Sequence, residues 1–212
     1  MSERLSAEQR LRIQLRHKRS IERYGYQPEA LFWTSKAAQT KRFDVLSRLL
    51  PFPARGEHQA WSLLDVGCGF ADFYEFLIQR GYQLNYTGLD LSESMIFSAG
   101  CLHPEVTFLH GELADFDFKS SEYDYVVLSG ALNEVVDDSG NYARAMIKKM
   151  YEVASKAVGF NLLNRQDPWT QSRPELQSFY PKDIVLFCEK FAKKVVCYQD
   201  YLNNDFTVFL YK

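Results

Sequence analysis

The eleven residues from 62 to 72, Ser-Leu-Leu-Asp-Val-Gly-Cys-Gly-Phe-Ala-Asp, constrain this chain more than any other stretch. A short apolar run ends in an acid, two glycines follow at alternate positions, and residues 72–78 continue with apolar side chains on one helical face. That is a strand, a glycine-rich turn and a helix start, the unit on which open α/β sheets hold nucleotide-like ligands. Gly67 and Gly69 permit dihedrals and a close approach that a Cβ would forbid. The helix behind them opens with unbonded N–H groups. A dinucleotide fingerprint counted from Gly67 requires its last glycine at position 72, where the chain has Asp72. An acid there would repel a pyrophosphate. An isolated glycine pair is also an ordinary tight turn, so the later strands must decide.

Asp65-x-Gly67-x-Gly69 with a small residue at Ala71 resembles motif I of the class I S-adenosylmethionine-dependent methyltransferases. Their cofactor carries an ammonium and a sulfonium and no phosphate, so acids around the turn are expected. A second strand, residues 84–90, ends at Asp90, 25 residues after Asp65. That is close to the interval at which such folds set a carboxylate on ribose hydroxyls, and two hydroxyl donors suit its two oxygens. Asp90 could instead cap the helix expected over 91–99, a task that suits Ser92 better. A third strand, 106–110, leads to Gly111-Glu112-Leu113; the resemblance implies that Glu112 receives the adenine amino group. A fourth strand, 123–128, runs into Ser129-Gly130-Ala131-Leu132-Asn133-Glu134, which resembles the loop passing under the methyl donor.

The resemblance implies an α/β Rossmann-like class I methyltransferase fold, with a seven-stranded, mostly parallel sheet and helices on both faces. The strand pair 194–201 and 205–211 around the turn at 202–204 reads as a terminal antiparallel β-hairpin, which dinucleotide-binding enzymes lack. The implied cofactor is S-adenosyl-L-methionine, with S-adenosyl-L-homocysteine as product. Its expected contacts are Asp65, Gly67, Cys68, Gly69, Ala71, Asp90, Leu91, Glu112, Leu113, Ser129 and Gly130.

Residues 1–58 are expected to form an N-terminal helical extension or lid, and 59–212 the cofactor-binding domain. Residues 1–24 read as a basic helix with an irregular apolar stripe, which could touch RNA or an acidic partner or be a solvated face or an oligomer contact. A second helix is expected from Lys36 to Leu50, capped by Thr34 or Ser35. By analogy with family lids, Trp33, Lys36 and Arg42 are candidates to cover the cofactor or neutralise its carboxylate. Simple core packing is the other reading of Trp33. Residues 51–56 read as the linker.

After strand four, residues 138–140 open a helix reaching to about Ser155, and 157–163 form the fifth strand. The polar stretch 164–174 is long for a minimal connection; the resemblance implies that it walls the acceptor pocket. A helix over 181–192 follows. Acceptor-side candidates are Asn133 and Glu134 as catalytic groups, and Tyr24, Tyr26, Asn164, Arg165 and Tyr201 as substrate contacts. Glu134 could act as a general base or face solvent at a helix start. Arg165 or Arg173 could take a carboxylate or phosphate or form surface salt bridges. Asp167-Pro168-Trp169 is similar to the amine-orienting motif of DNA-base methyltransferases, but it follows strand five and lacks the second proline.

The 212 residues suffice for one domain with a sizeable core. A net charge of −2 weighs against a nucleic-acid footprint, which is usually basic. No apolar run approaches a membrane span of about 18 residues, and the N-terminus lacks a signal peptide's apolar core. Four cysteines without C-x-x-C pairing and four scattered histidines point to reduced thiols, a cytoplasmic setting and no metal. The expected acceptor is a small molecule, and the expected state a monomer or homodimer. An RNA or protein acceptor, a cofactor-binding regulatory subunit and a nicotinamide oxidoreductase stand as alternatives, the last disfavoured by Asp72 and the hairpin.

Overall fold

Leu63 and Leu64 are neighbours in one strand, yet they belong to opposite hydrophobic cores. The same split separates Val126 from Val127, Ala157 from Val158, and Val208 from Phe209. A sheet buried on both faces requires this period of two. The computed structural model describes residues 4–32, 35–51, 60–136 and 138–212. Trp33, Thr34 and most of the expected linker lie outside the described residues.

In chain order the regular elements are α1 (Ala7–Tyr24), α2 (Lys36–Ser47), β1 (Trp61–Val66), α3 (Asp72–Gln79), β2 (Leu84–Asp90), α4 (Glu93–Leu102), β3 (Thr107–His110), β4 (Tyr123–Ser129), α5 (Asn141–Val153), β5 (Ala154–Leu163), α6 (Pro168–Gln171), α7 (Pro181–Cys188), β6 (Lys194–Tyr198) and β7 (Asp205–Tyr211). The seven strands form one sheet in the order β3-β2-β1-β4-β5-β7-β6. Neighbouring strands from β3 to β5 pair in parallel, and β7 runs antiparallel to both β5 and β6. This is the Rossmann-like methyltransferase topology expected from the sequence, terminal hairpin included.

Residues of α5 and α7 pack on one face of the sheet, those of α2 and α3 on the other. Phe43 of α2 meets Phe73 and Phe76 of α3 at ring-centroid distances of 5.1 and 5.5 Å, so the second face is sealed largely by aromatic contacts. Several boundaries differ from expectation. Helix α5 passes into β5 at Ala154 with no intervening residue, three positions before the expected strand start, because no glycine or proline marks the change. Helix α2 ends at Ser47 rather than Leu50, and α7 at Cys188 rather than Ala192.

The strand order reverses between β1 and β4, and their carboxyl ends open the crevice in which α/β sheets bind ligands. Helix α1 lies across the loops at these ends. Its buried apolar contacts are small: one cluster joins Ile13 to Leu5 and Val136, and Ile21 packs against Ala30, Phe70 and Met95. Polar side chains do the rest: Gln14 donates to the Leu91 carbonyl after β2 at 3.0 Å, and Gln9 to the Val136 carbonyl after β4 at 2.8 Å. Arg12 donates to the Val135 carbonyl. These inward-facing polar residues explain why the apolar stripe of α1 is irregular in sequence.

Candidate active site

The glycine turn after β1 is tied to β2. Gly67 N and Cys68 N donate to the Leu89 carbonyl at 2.7 and 3.1 Å, and Gly69 N donates to Asp90 Oδ2 at 3.0 Å. The other Asp90 oxygen accepts the Ser92 amide at 2.8 Å, while the Ser92 hydroxyl caps α4 at Met95 N. Asp90 therefore fixes the shape of the turn as well as facing the cavity. Gly67 has φ +74°, and a Cβ built on it would stand 2.3 Å from the Ala131 Cβ. The loop after β4 is held by a residue that the sequence did not single out. Buried Asn161 accepts the Gly130 amide at 3.0 Å and donates to Ser129 Oγ at 3.1 Å.

The glycine turn, Asp90, Ser129 and Gly130 line one cavity of about 220 Å³. Of the residues expected from sequence, it brings together Asp65, Gly67, Cys68, Gly69, Asp90, Leu91, Glu112, Leu113, Ser129, Gly130, Arg42, Asn133 and Glu134. It leaves others out. Ala71 is buried in the apolar core and opens α3 in the left-handed conformation. Tyr24 and Tyr26 are exposed, Tyr26 edge-on to Phe70. Asn164 and Arg165 are held away because the chain beyond β5 pairs with Phe179, and Arg165 approaches the Tyr180 ring. Tyr201 shares a 2.8 Å hydrogen bond with Thr207. Lys36 is 4.0 Å from Asp72. Trp169, Leu176 and Gln177 do line the cavity, so the stretch after β5 contributes a wall through other residues than Asn164 and Arg165.

The charges are arranged in pairs. Arg42 is buried against Asp205, and burial lowers its pKa to about 10. Glu134 pairs with Arg16 of α1. Glu112 is buried; it accepts Leu5 N and the Tyr142 hydroxyl, each at 3.2 Å, and it faces Arg10. Burial raises the Glu112 pKa, and those three partners pull it back down. Burial also pushes the Asp65 carboxyl up to about 7. Sequence reasoning missed Leu5, Ile13, Arg16, His17, Phe32 and Gln39 as cavity residues. Their partners are too distant in the chain for any local pattern to show them.

Five carboxylates and two guanidinium groups line the cavity among the described residues, and both guanidinium groups face carboxylates. Gln39 is fully buried; its Nε2 donates to Asp72 at 2.7 Å, while its Oε1 has no hydrogen-bond partner among the described residues. A site so rich in acceptors fits a cationic ligand better than a phosphate. No group of three or more His, Cys, Asp or Glu residues suited to a metal ion occurs among the described residues. No described helix is long and apolar enough to cross a membrane.

A methyltransferase-domain family profile matches residues 63–157. The demethylmenaquinone methyltransferase of Bacillus cereus is 31% identical over 182 residues, covering 76% of this chain and 72% of that protein. This chain belongs to the class I S-adenosylmethionine-dependent methyltransferases. Trans-aconitate 2-methyltransferase of an Acidovorax species is 33% identical over a shorter match of 94 residues, 44% of this methyltransferase and 36% of that one. In fold, the methyltransferase superposes on an S-adenosylmethionine-dependent methyltransferase from Archaeoglobus fulgidus. The TM-score is 0.62 at 13% identity, over 82% of this chain and 94% of that one. Family membership implies S-adenosylmethionine as methyl donor, and the acid-rich cavity suits that cation.

Proposed function

We propose that this methyltransferase transfers the methyl group of S-adenosylmethionine to a small-molecule acceptor enclosed beneath α1. The observation that carries this reading is the single cavity in which the glycine turn, three buried acids (Asp65, Asp90 and Glu112) and the α1 side chains meet. Asp90 would hold the ribose hydroxyls, Glu112 the adenine amino group, and Gln39 Oε1 with Asp65 the ammonium. Bound there, S-adenosylmethionine supplies an electrophilic methyl carbon. The chain's part is to orient the acceptor and exclude water. Helix α1 serves as the lid. Arg10, Arg12 and Arg16 turn toward the acid and carbonyl groups of the core, which leaves less basic surface for RNA.

The test is calorimetric titration of S-adenosylmethionine into wild type, Asp90→Ala and Gln39→Leu. Wild type is expected to bind at micromolar strength. Asp90→Ala should lose at least about tenfold, close to 1.4 kcal/mol. Gln39→Leu should also lose about tenfold while remaining folded, because it removes an acceptor that has no partner among the described residues. Absence of any heat or thermal shift with wild type would defeat the donor-site assignment.

A further inference from the structure

Nδ1 of His17 and Oδ1 of Asn133 are buried and lack hydrogen-bond partners among the described residues, and both residues line the cavity. Leaving such atoms unpaired is unfavourable, so a ligand that pairs both gains from the pairing. The two residues flank one ion pair in sequence. Arg16, next to His17 on α1, pairs with Glu134, next to Asn133 after β4. The neighbouring charges therefore pair with each other, which leaves His17 and Asn133 to select the ligand. Aromatic and apolar side chains form part of the wall, and the Arg16 guanidinium lies 4.0 Å from the Phe32 ring centroid. Phe32 meets the His17 ring at a centroid distance of 5.6 Å, and Trp169, Leu176 and Ile13 also line the cavity.

We propose that His17 and Asn133 form the acceptor subsite, and that its ligand is a primary amine carried on a planar aromatic body. This rests on the methyl-transfer reading and adds the acceptor class to it. An imidazole with its proton on Nε2 presents Nδ1 as an acceptor, and an amide oxygen is an acceptor as well. Two acceptors match the two hydrogens of an –NH2 group and leave its lone pair directed elsewhere. A hydroxyl would satisfy only one of them, and a carboxylate neither. An aromatic amine arrives neutral with that lone pair available, as in-line displacement requires.

The amine lone pair forms the N–CH3 bond as the C–S bond breaks, and the C–S electrons return to sulfur as a neutral thioether. The positive charge moves to nitrogen. One N–H proton then passes to His17 Nδ1 and on to solvent, leaving the neutral N-methylamine. His17 is the catalytic base of this step, and Asn133 orients the amine.

The experiment saturates the protein with S-adenosylhomocysteine and titrates three probes of one shape: 4-methylaniline, 4-methylphenol and 4-methylbenzoate. Calorimetry reads binding, and methyl transfer from S-adenosylmethionine is followed separately. The amine is expected to bind at least about tenfold tighter than the other two. Asn133→Leu should weaken amine binding about tenfold while leaving S-adenosylhomocysteine affinity unchanged. His17→Asn retains an acceptor atom but no base, so it should keep the affinity and lower kcat about 100-fold. The proposal is overturned if the phenol or the carboxylate binds best, if none of the three binds, if Asn133→Leu leaves amine affinity intact, or if His17→Asn transfers at the wild-type rate. Failure of wild type to bind S-adenosylhomocysteine would instead defeat the methyl-transfer reading.

Discussion

Gly67→Ala is expected to destabilise the protein by about 2–4 kcal/mol and to abolish cofactor binding. Two independent penalties combine. The residue has φ +74°, and a left-handed backbone costs a non-glycine residue roughly 1–2 kcal/mol. The added methyl would also stand 2.3 Å from the Ala131 Cβ, and overpacking of this kind costs typically about 1–3 kcal/mol. The clash falls where β1 and β4 lie side by side, so relief requires the Ala131 turn to move. That turn carries Asn133, and Glu134 follows it. Gly69→Ala should be milder, because its new methyl meets only the flexible end of the Leu31 side chain, at 2.8 Å. Urea unfolding of Gly67→Ala, Ala131→Gly and the double variant separates the two penalties. The double variant should recover the clash and retain the backbone strain, a coupling of about 1–2 kcal/mol. A loss below about 1 kcal/mol in Gly67→Ala with full cofactor affinity would contradict this packing.

What the sequence made legible was local. The strand, glycine turn and helix at residues 61–79 follow from an apolar run, two glycines and an amphipathic segment adjacent in the chain. The same holds for Ser92 capping α4 and for the terminal hairpin. The glycine turn, Asp65, Asp90 and Glu112 sit at or just beyond strand ends, so motif order along the chain was enough to bring them to one cavity. The cavity is also lined by residues of α1, whose partners lie far away in sequence: Gln14 reaches Leu91, Arg16 reaches Glu134, and Gln9 reaches Val136. A helix that docks through arginines and glutamines gives no hydrophobic period to read, and its basic residues resemble a solvated face. Asn164 and Arg165 illustrate the converse limit. They follow a strand that ends near the cavity, but backbone pairing with Phe179 carries them outside its wall.

Asp65 should make the protein less stable as pH rises from about 4 to 7. The side chain is 2% exposed, and burial pushes its carboxyl up to about 7 from an ordinary value of 3.8. The Tyr86 hydroxyl, which donates to Oδ2 at 2.5 Å, works against that shift, and the Asp90 charge adds to it. Between those two pH values the unfolded chain has lost the proton and the folded chain retains it. Folding therefore takes up a proton in this window, and stability declines with rising pH. The contribution is fully present below about pH 4 and lost above about pH 7. At 1.36 kcal/mol per unit, the decline amounts to roughly 4 kcal/mol. Asp65→Asn keeps an acceptor for Tyr86 and cannot titrate, so its unfolding free energy should be flatter between pH 5 and pH 8 and exceed that of wild type at pH 8. A bound ammonium acts in the opposite direction by favouring the ionised carboxylate. S-adenosylmethionine should then release a proton on binding below pH 7, measured as a binding enthalpy that changes with the ionisation enthalpy of the buffer. Asp65→Asn should lose both the proton release and much of the affinity. A wild-type stability that does not fall between pH 4 and pH 7 would show that Asp65 is already ionised in the folded protein. The acid before the glycine turn would in that case not oppose folding at neutral pH.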